Sequence, residues 1–187
     1  MTADALAFAR LMRGDFPLVS QWLSDSVVQR WWADDPSLPG LEEHFGASID
    51  GKEPTEVFIA SLSEQPFALI QRYRIDSYAE YEAELAPVLV VEPGTWSFDY
   101  LIGPPDSRGR GLGIALLSQF LQKTMQDYPS ATTVLIPVHA ENHASWRTLE
   151  RTGFVRVAEG EITPDNTADS RAHFFYQYDR DQSSQLR

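Results

Sequence analysis

The residue types and spacing that point most directly to chemistry lie in Arg108-Gly109-Arg110-Gly111-Leu112-Gly113, a short run that follows Asp99-Tyr100-Leu101-Ile102-Gly103. Glycines let successive backbone N–H groups converge on one point with no Cβ in the way. A helix starting at such a run adds unpaired donors and partial positive charge. The combination makes a cradle for a diphosphate, to which Arg108 and Arg110 would add charge-assisted contacts. The plainer alternative is a glycine-rich capping turn without a ligand. Two other phosphate motifs do not fit. A Rossmann fingerprint needs a third glycine at 114 or 116, where the chain has Ile114 and Leu116. A Walker A loop needs Gly-Lys-Ser/Thr, which is absent.

The surrounding elements must place this turn. Residues 95–102 predict a strand, cut short by Gly103-Pro104-Pro105. Arg110–Tyr128 predicts a helix, with Leu112, Leu116 and Phe120 on one row and Leu117, Leu121 and Met125 on the next. Upstream, Leu6–Leu11 reads as a strand. Asp15 caps a helix with Pro17 in its first turn and Leu18 and Trp22 on its apolar face. Val27–Trp32 and Leu41–Ile49 read as further helices, separated by a break over Asp34–Gly40. Glu56–Leu62 and Phe67–Ile75 form a hairpin across Ser63–Pro66. Asp76–Glu84 is acidic and tyrosine-rich, a loop or short helix. Downstream come a strand at Ala131–Val138 interrupted near its end by Pro137, a helix at His143–Thr152 stopped by Gly153, and strands at Phe154–Ala158 and His173–Tyr178. The order is that of a mixed α/β domain over residues 1–180, with a polar tail at 181–187.

Composition narrows the function classes. Acidic residues number 27 against 15 basic ones, a formal charge of −12. Such a chain repels phosphate backbones, so no nucleic-acid partner is expected. It attracts a cationic small molecule, although solubility alone also explains the charge. With no cysteine there is no disulfide framework, thiolate nucleophile or zinc–thiolate site, and no metal site is expected. A cytoplasmic home fits. Met1–Arg13 does not read as a signal peptide, and no apolar run is long enough to predict a membrane span. The chain is expected to be a monomer or homodimer.

Arg108-x-x-Gly111-x-Gly113 resembles the Q/R-x-x-G-x-G/A pyrophosphate motif of the GCN5-related N-acetyltransferases. Downstream, Asn142 follows a strand, and Ser145–Arg151 leads to Thr152-Gly153-Phe154. This is similar to the family's second block, an Asn, a helix, then Gly-Phe entering a strand. The resemblance spans roughly residues 5–180. It implies a single domain with a mostly antiparallel central sheet, splayed at the cofactor site and flanked by helices. It also implies acetyl-CoA as cofactor, with Leu101 and Ile102 beside the pantetheine arm and Gly109, Arg110, Gly111, Leu112 and Gly113 on the pyrophosphate. Asn142 would lie near the pantetheine or the reacting amine, or simply cap its helix.

Finer features resemble the aminoglycoside 6′-N-acetyltransferases: Arg30-Trp31-Trp32, Gln71-Arg72-Tyr73 and Asp99-Tyr100-Leu101-Ile102-Gly103. That resemblance implies transfer of an acetyl group to a primary amine of a cationic, aminoglycoside-like molecule, with antibiotic resistance as the associated trait. Asp99 would be the catalytic carboxylate, holding the ammonium and accepting its proton directly or through water. The N–H near Leu101 would polarise the thioester oxygen. Trp32 and Tyr73 would line the substrate; Trp31 and Trp32 equally suit packing. Glu80, Glu82 and Glu84 would hold substrate amines or form a solvated loop face. Two positions depart from the pattern. Pro137 stands where many such enzymes carry Asp, and Leu149 where many acetyltransferases carry a Tyr general acid. His139 and His143 are further proton-handling candidates, with a surface location the plainer expectation. A siderophore-type lysine N-acyltransferase is an alternative, although those usually carry His where this chain has Asp99. A non-catalytic acyl-CoA-binding sensor is another.

Overall fold

A computed structural model of the chain describes residues 5–164, 166 and 168–180. The predicted tail at 181–187 lies outside the described residues. Seven strands and six helices lie among the described residues. Packing divides the chain into two compact units, Met1–Arg72 with Asp99–Ala115, and Tyr73–Phe98 with Leu116–Arg187. No helix among the described residues is long and apolar enough to cross a membrane.

In the first unit, β1 (Leu6–Arg10) pairs antiparallel with β2 (Glu56–Leu62), and β2 with β3 (Gln65–Arg74). Ser63 and Glu64, both at positive φ, make the tight turn between β2 and β3. The helices α1 (Phe16–Leu23), α2 (Ser26–Gln29) and α3 (Leu38–Ile49) supply much of the core. Phe16, Val19, Trp22 and Leu23 fall on one face of α1 and join Leu41, Phe45 and Leu69 in the buried cluster. Leu18 is only partly buried beside it. Asp15 does not cap α1. A 3-10 turn over Arg13–Asp15 feeds straight into the helix, and the Asp15 carboxylate instead accepts the Met12 N–H at 2.9 Å. The break before α3 ends at Ser37, whose Oγ accepts the Gly40 N–H at 3.1 Å. Pro39 and Gly40 therefore belong to the first turn, where a missing N–H costs nothing.

In the second unit, β5 (Thr133–His139) pairs antiparallel with β7 (Ala172–Asp179), and β7 with β6 (Val155–Glu161). Pro137 does not interrupt β5; it stays in register opposite Phe175, and the strand runs on to His139. The residues of β4 (Trp96–Ile102) that belong to this unit pair parallel with β5 at Trp96 opposite Val134. The stretch predicted as a loop or short helix is helical as α4 (Ala79–Leu85). α5 (Leu112–Asp127) begins two residues later than the sequence predicts, because Gly111 sits at φ +82°, outside helical space. Its inner face buries Leu116, Leu117 and Phe120, with Phe120 edge-on to Phe98 at 5.1 Å. α6 (His143–Arg151) ends at Gly153, φ +94°.

Candidate functional site

The glycine run lies between the end of β4 and the start of α5. Gly103 N–H pairs with Phe67 O at 2.9 Å, and the Trp22 indole lies so close that a Cβ on Gly103 would overlap it. A 3-10 turn over Pro105–Ser107 then reverses the chain. Gly109 and Gly111 follow at φ +71° and +82°, and a Cβ built on either meets nothing within 4 Å. Neighbouring protein atoms therefore do not require glycine there; the backbone conformation does, and it leaves open space beside both residues. Ile114 and Ala115 N–H donate to Gly111 O, giving the first hydrogen bonds of α5. The backbone N–H groups of Gly109–Gly113 lie ahead of them and have no hydrogen-bond partner among the described residues. Together they form a row of donors at the N-terminus of a 16-residue helix, exposed over Gly109–Gly111 and half-buried at Leu112 and Gly113.

Arg108 has a structural part besides the contact that its position in the motif predicts. Its guanidinium turns inward, donating to Ile102 O at 3.1 Å, Gly103 O at 2.5 Å and Asp25 Oδ1 at 3.0 Å. Asp25 also caps α2 through the Val27 N–H. The hydrogen bond from Arg108 holds the Asp25 carboxyl below its ordinary range. Arg108 thus fastens the turn to β4 and α2 with three of its five N–H donors. Arg110 is exposed, with one long contact to Asp106 O at 3.4 Å.

Asp99 and the cradle share the first unit. The Asp99 side chain is half-buried on β4 and accepts the Gln71 Nε2–H at 2.9 Å. Leu101 is 6% exposed within the core cluster, so only its backbone is offered to a ligand. Ile102 is half-buried. Trp32 packs partly buried against the same cluster, and the Trp31 ring lies under the Arg30 guanidinium at 4.3 Å. Arg72, next to Gln71, is structural; it is buried and paired with Glu56 at 2.6 Å.

Tyr73, the three glutamates and Asn142 belong to the second unit. Tyr73 meets Tyr78 and Tyr81 edge-on at 5.6 and 6.1 Å. The glutamates do not form one row. On α4 each residue turns the chain by about 100°, so Glu80 and Glu84 share a side and Glu82 faces away. Glu84 is committed to Thr163, whose N–H it accepts at 2.7 Å. Burial pushes the Glu84 carboxyl up, but the Thr163 hydrogen bonds outweigh this and hold it below the usual range. Asn142 caps α6, its Oδ1 accepting the Ser145 N–H at 3.2 Å; its Nδ2 remains a donor. Leu149 is fully buried, so the place of a Tyr acid is occupied by core.

His139 is not a surface residue. It is 8% exposed, contacts Ser170 O through Nε2 at 3.0 Å and accepts the Glu141 N–H on Nδ1. Its ring meets His173 at 5.2 Å, whereas His143 is exposed. Burial pushes the His173 imidazole below its ordinary 6.5. As the pH falls through 6.5 the unfolded chain therefore takes up this proton before the folded one, and His173 costs stability on the acid side. His44, raised above 6.5, acts in the opposite sense. The expected result is that His173→Gln loses less melting temperature on acidification than the parent protein, measured by circular dichroism in matched buffers.

A model of the acetyltransferase (GNAT) domain family matches residues 12–162. An aminoglycoside N(6′)-acetyltransferase type 1 from Klebsiella pneumoniae is 25% identical over 173 residues, covering 88% of this chain and 81% of that protein. Among solved structures, AAC(6′)-Ib in complex with ribostamycin and coenzyme A has a TM-score of 0.82 at 22% identity, covering 98% of both chains. Spermidine N-acetyltransferase from Vibrio cholerae, in complex with CoA and spermine, has a TM-score of 0.71 at 16% identity, covering 94% of this chain and 96% of that one. At these identities the structural likeness establishes the fold.

Proposed function

The chain belongs to the acetyltransferase (GNAT) domain family, and from that premise we propose that it transfers the acetyl group of acetyl-CoA to a primary amine of a cationic, aminoglycoside-like small molecule. The observation that carries the cofactor half is the row of N–H groups at Gly109–Gly113 without a partner among the described residues, beside two glycines with open space around them. A diphosphate fits these donors and the helix N-terminus behind them. Arg110 supplies the nearby cation, and Arg108 keeps the turn in shape. The backbone at Leu101 and Ile102 meets the pantetheine arm, and Asn142 reaches the arm or the amine through Nδ2. Acetyl-CoA supplies the activated thioester; the chain supplies position and charge.

The acceptor half is supported by the aminoglycoside acetyltransferase from K. pneumoniae, matched over most of both chains, and by the net charge of −12. Asp99 is the catalytic carboxylate. It holds the ammonium of the acceptor and accepts its proton, directly or through water, so that the freed nitrogen lone pair faces the thioester carbon. Trp32 and Tyr73 line the acceptor, with Glu80 and Glu82 as outlying carboxylates and Glu84 acting mainly through Thr163. With Leu149 in the core, the departing thiolate takes its proton from water. The enzyme acts in the cytoplasm, as a monomer or homodimer.

The test is free-thiol release from acetyl-CoA with kanamycin, spermidine and N-hydroxylysine as acceptors. Turnover with kanamycin well above the others is the expected result. Turnover with N-hydroxylysine alone would assign a siderophore acyltransferase. Tight coenzyme A binding without turnover on any amine would assign a sensor.

A further inference from the structure

The corner between β5 and α6 carries Asn142, and the backbone around it is tied down residue by residue. Ala140 N–H donates to Ala172 O at 2.9 Å, and Ala140 O accepts the Trp146 Nε1–H at 3.3 Å. Asn142 N–H donates to His139 O at 2.8 Å, and His143 N–H donates to Glu141 O at 2.8 Å. The bond from His143 to Glu141 closes a three-residue turn, and Asn142 at its centre has φ −79° and ψ +67°. These are the angles of an inverse γ-turn. The direction in which Asn142 projects is therefore set by the position of the Glu141 peptide.

That peptide is held by a side chain. Glu141 N–H donates to His139 Nδ1 at 3.2 Å. The other ring nitrogen, Nε2, lies 3.0 Å from Ser170 O and 3.2 Å from Ser170 Oγ. A carbonyl oxygen only accepts, so Nε2 carries the hydrogen and Nδ1 the lone pair. A hydrogen on Nδ1 would point at the Glu141 N–H, so this geometry belongs to one tautomer of the neutral ring. The ring is a strut between the corner and the chain ahead of β7. It is buried and lies edge-on at 5.2 Å to His173, its register partner across β5 and β7, which leaves it little room to turn. His173 is tied to the same stretch, its Nδ1 donating to Arg171 O at 2.8 Å. With both nitrogens of His139 engaged, the ring suits holding the corner rather than handling protons.

We propose that His139, as the neutral Nε2–H tautomer, is the positioning residue that aims Asn142 at its ligand. By fixing the Glu141 peptide it fixes the inverse γ-turn, and with it the direction of Asn142 Nδ2. The inference rests on the reading above, in which Nδ2 reaches the pantetheine arm or the amine. Asn142 Oδ1 is engaged by the Ser145 N–H at 3.2 Å, so the side chain is not free to rotate and correct a displaced backbone. A hydrogen bond weakens steeply as its angle degrades, and a corner that shifts carries Nδ2 off its line. His139 itself forms and breaks no bond in the transfer; it acts through Asn142.

The experiment is a double-mutant cycle. Asn142→Ser keeps an oxygen to cap α6 and removes Nδ2. At position 139, Asn carries its amide as many bonds from Cβ as Nδ1 and can accept the Glu141 N–H. Gln carries its amide as far out as Nε2 and reaches toward Ser170 instead. Coenzyme A affinity by calorimetric titration and kcat/KM for kanamycin at saturating acetyl-CoA are measured for the parent protein, Asn142→Ser, His139→Gln, His139→Asn and the double variant His139→Gln/Asn142→Ser, with melting temperatures alongside. Asn142→Ser is expected to lower one of the two quantities by about 3- to 10-fold, the worth of one hydrogen bond. His139→Gln should lower the same quantity by a similar factor, and His139→Asn should recover most of that loss. The double variant should fall within about twofold of Asn142→Ser alone. Nitrogen-15 NMR of the parent protein, which needs no variant, should show the His139 hydrogen on Nε2 and none on Nδ1. Losses that multiply in the double variant overturn the proposal, because His139 would then act independently of Asn142. So does His139→Gln at the parent level in both quantities, or a hydrogen on Nδ1. Asn142→Ser without effect on either quantity overturns the place given to Asn142 and this inference with it. A parent protein that binds coenzyme A but acetylates no amine overturns the acetyl-transfer reading alone, and the cycle is then decided by coenzyme A affinity.

Discussion

Asp99→Asn is expected to lower kcat/KM for a cationic acceptor by about 10- to 100-fold, the loss of one charge-assisted hydrogen bond worth about 1.5–3 kcal/mol at about 1.4 kcal/mol per tenfold. The substitution is nearly isosteric. Its amide oxygen can still accept the Gln71 Nε2–H that Asp99 accepts now at 2.9 Å, so that bond across to β3 is kept while the charge is lost. The loss should fall chiefly on the acceptor, with the KM for acetyl-CoA unchanged, because the cradle draws on backbone N–H groups several residues further on. Added salt should narrow the gap between the parent protein and the variant, since part of the attraction is long-range. Steady-state kinetics with kanamycin at two salt concentrations checks both points. Equal kcat/KM in the two proteins would return Asp99 to the role of an ordinary strand residue facing solvent.

Gly111→Val is expected to weaken coenzyme A binding by about 100-fold, equivalent to losing one or two charge-assisted hydrogen bonds. At φ +82° a β-branched residue is strained, and the left-handed region costs an L-residue about 1–2 kcal/mol. The turn relieves that strain by rotating, and the N–H groups of Gly109–Gly113 then no longer converge. A valine that stayed in place would fill the open space beside the turn. Gly51 provides the control. It sits at φ +69° with equally open surroundings, in the same unit but outside the motif. Gly51→Val should lower the melting temperature by a similar amount and leave coenzyme A affinity untouched. Calorimetric titration of both variants separates a cradle from a cap. If Gly111→Val merely melts earlier and binds coenzyme A normally, the turn only ends a strand and starts a helix.

The part of the site that was legible in the sequence is the part built from consecutive residues. Strand, turn and helix follow one another over Trp96–Asp127, and the apolar rows of the helix show through periodicity alone. Elements elsewhere were legible for the same reason, and their errors have local causes. Pro39 and Gly40 read as a break because both favour turns, yet Ser37 had already begun the helix. Glu80, Glu82 and Glu84 read as alternating carboxylates in a loop or short helix, and the helix that forms spreads them around its axis. Pro137 read as an interruption, yet the pairing of β5 with β7 carries through it.

What the sequence determined by itself is the kind of cofactor site: Arg108–Gly113 must turn at its glycines and must present N–H groups ahead of a helix, because backbone conformation is set by neighbours in the chain. Its acidic balance and the Asp at 99 likewise favoured a cationic acceptor. Tertiary structure alone decided where the side chains point. Arg108 looks like a phosphate ligand in sequence, and its role as a fastener shows only because Asp25, 83 residues away, meets it. His44 looks like any polar residue on a helix, and packing sets its Nδ1 3.2 Å from an Asp34 carboxylate oxygen. Those roles depend on electrostatics and hydrogen bonds between residues distant in the chain, and only packing brings such partners together.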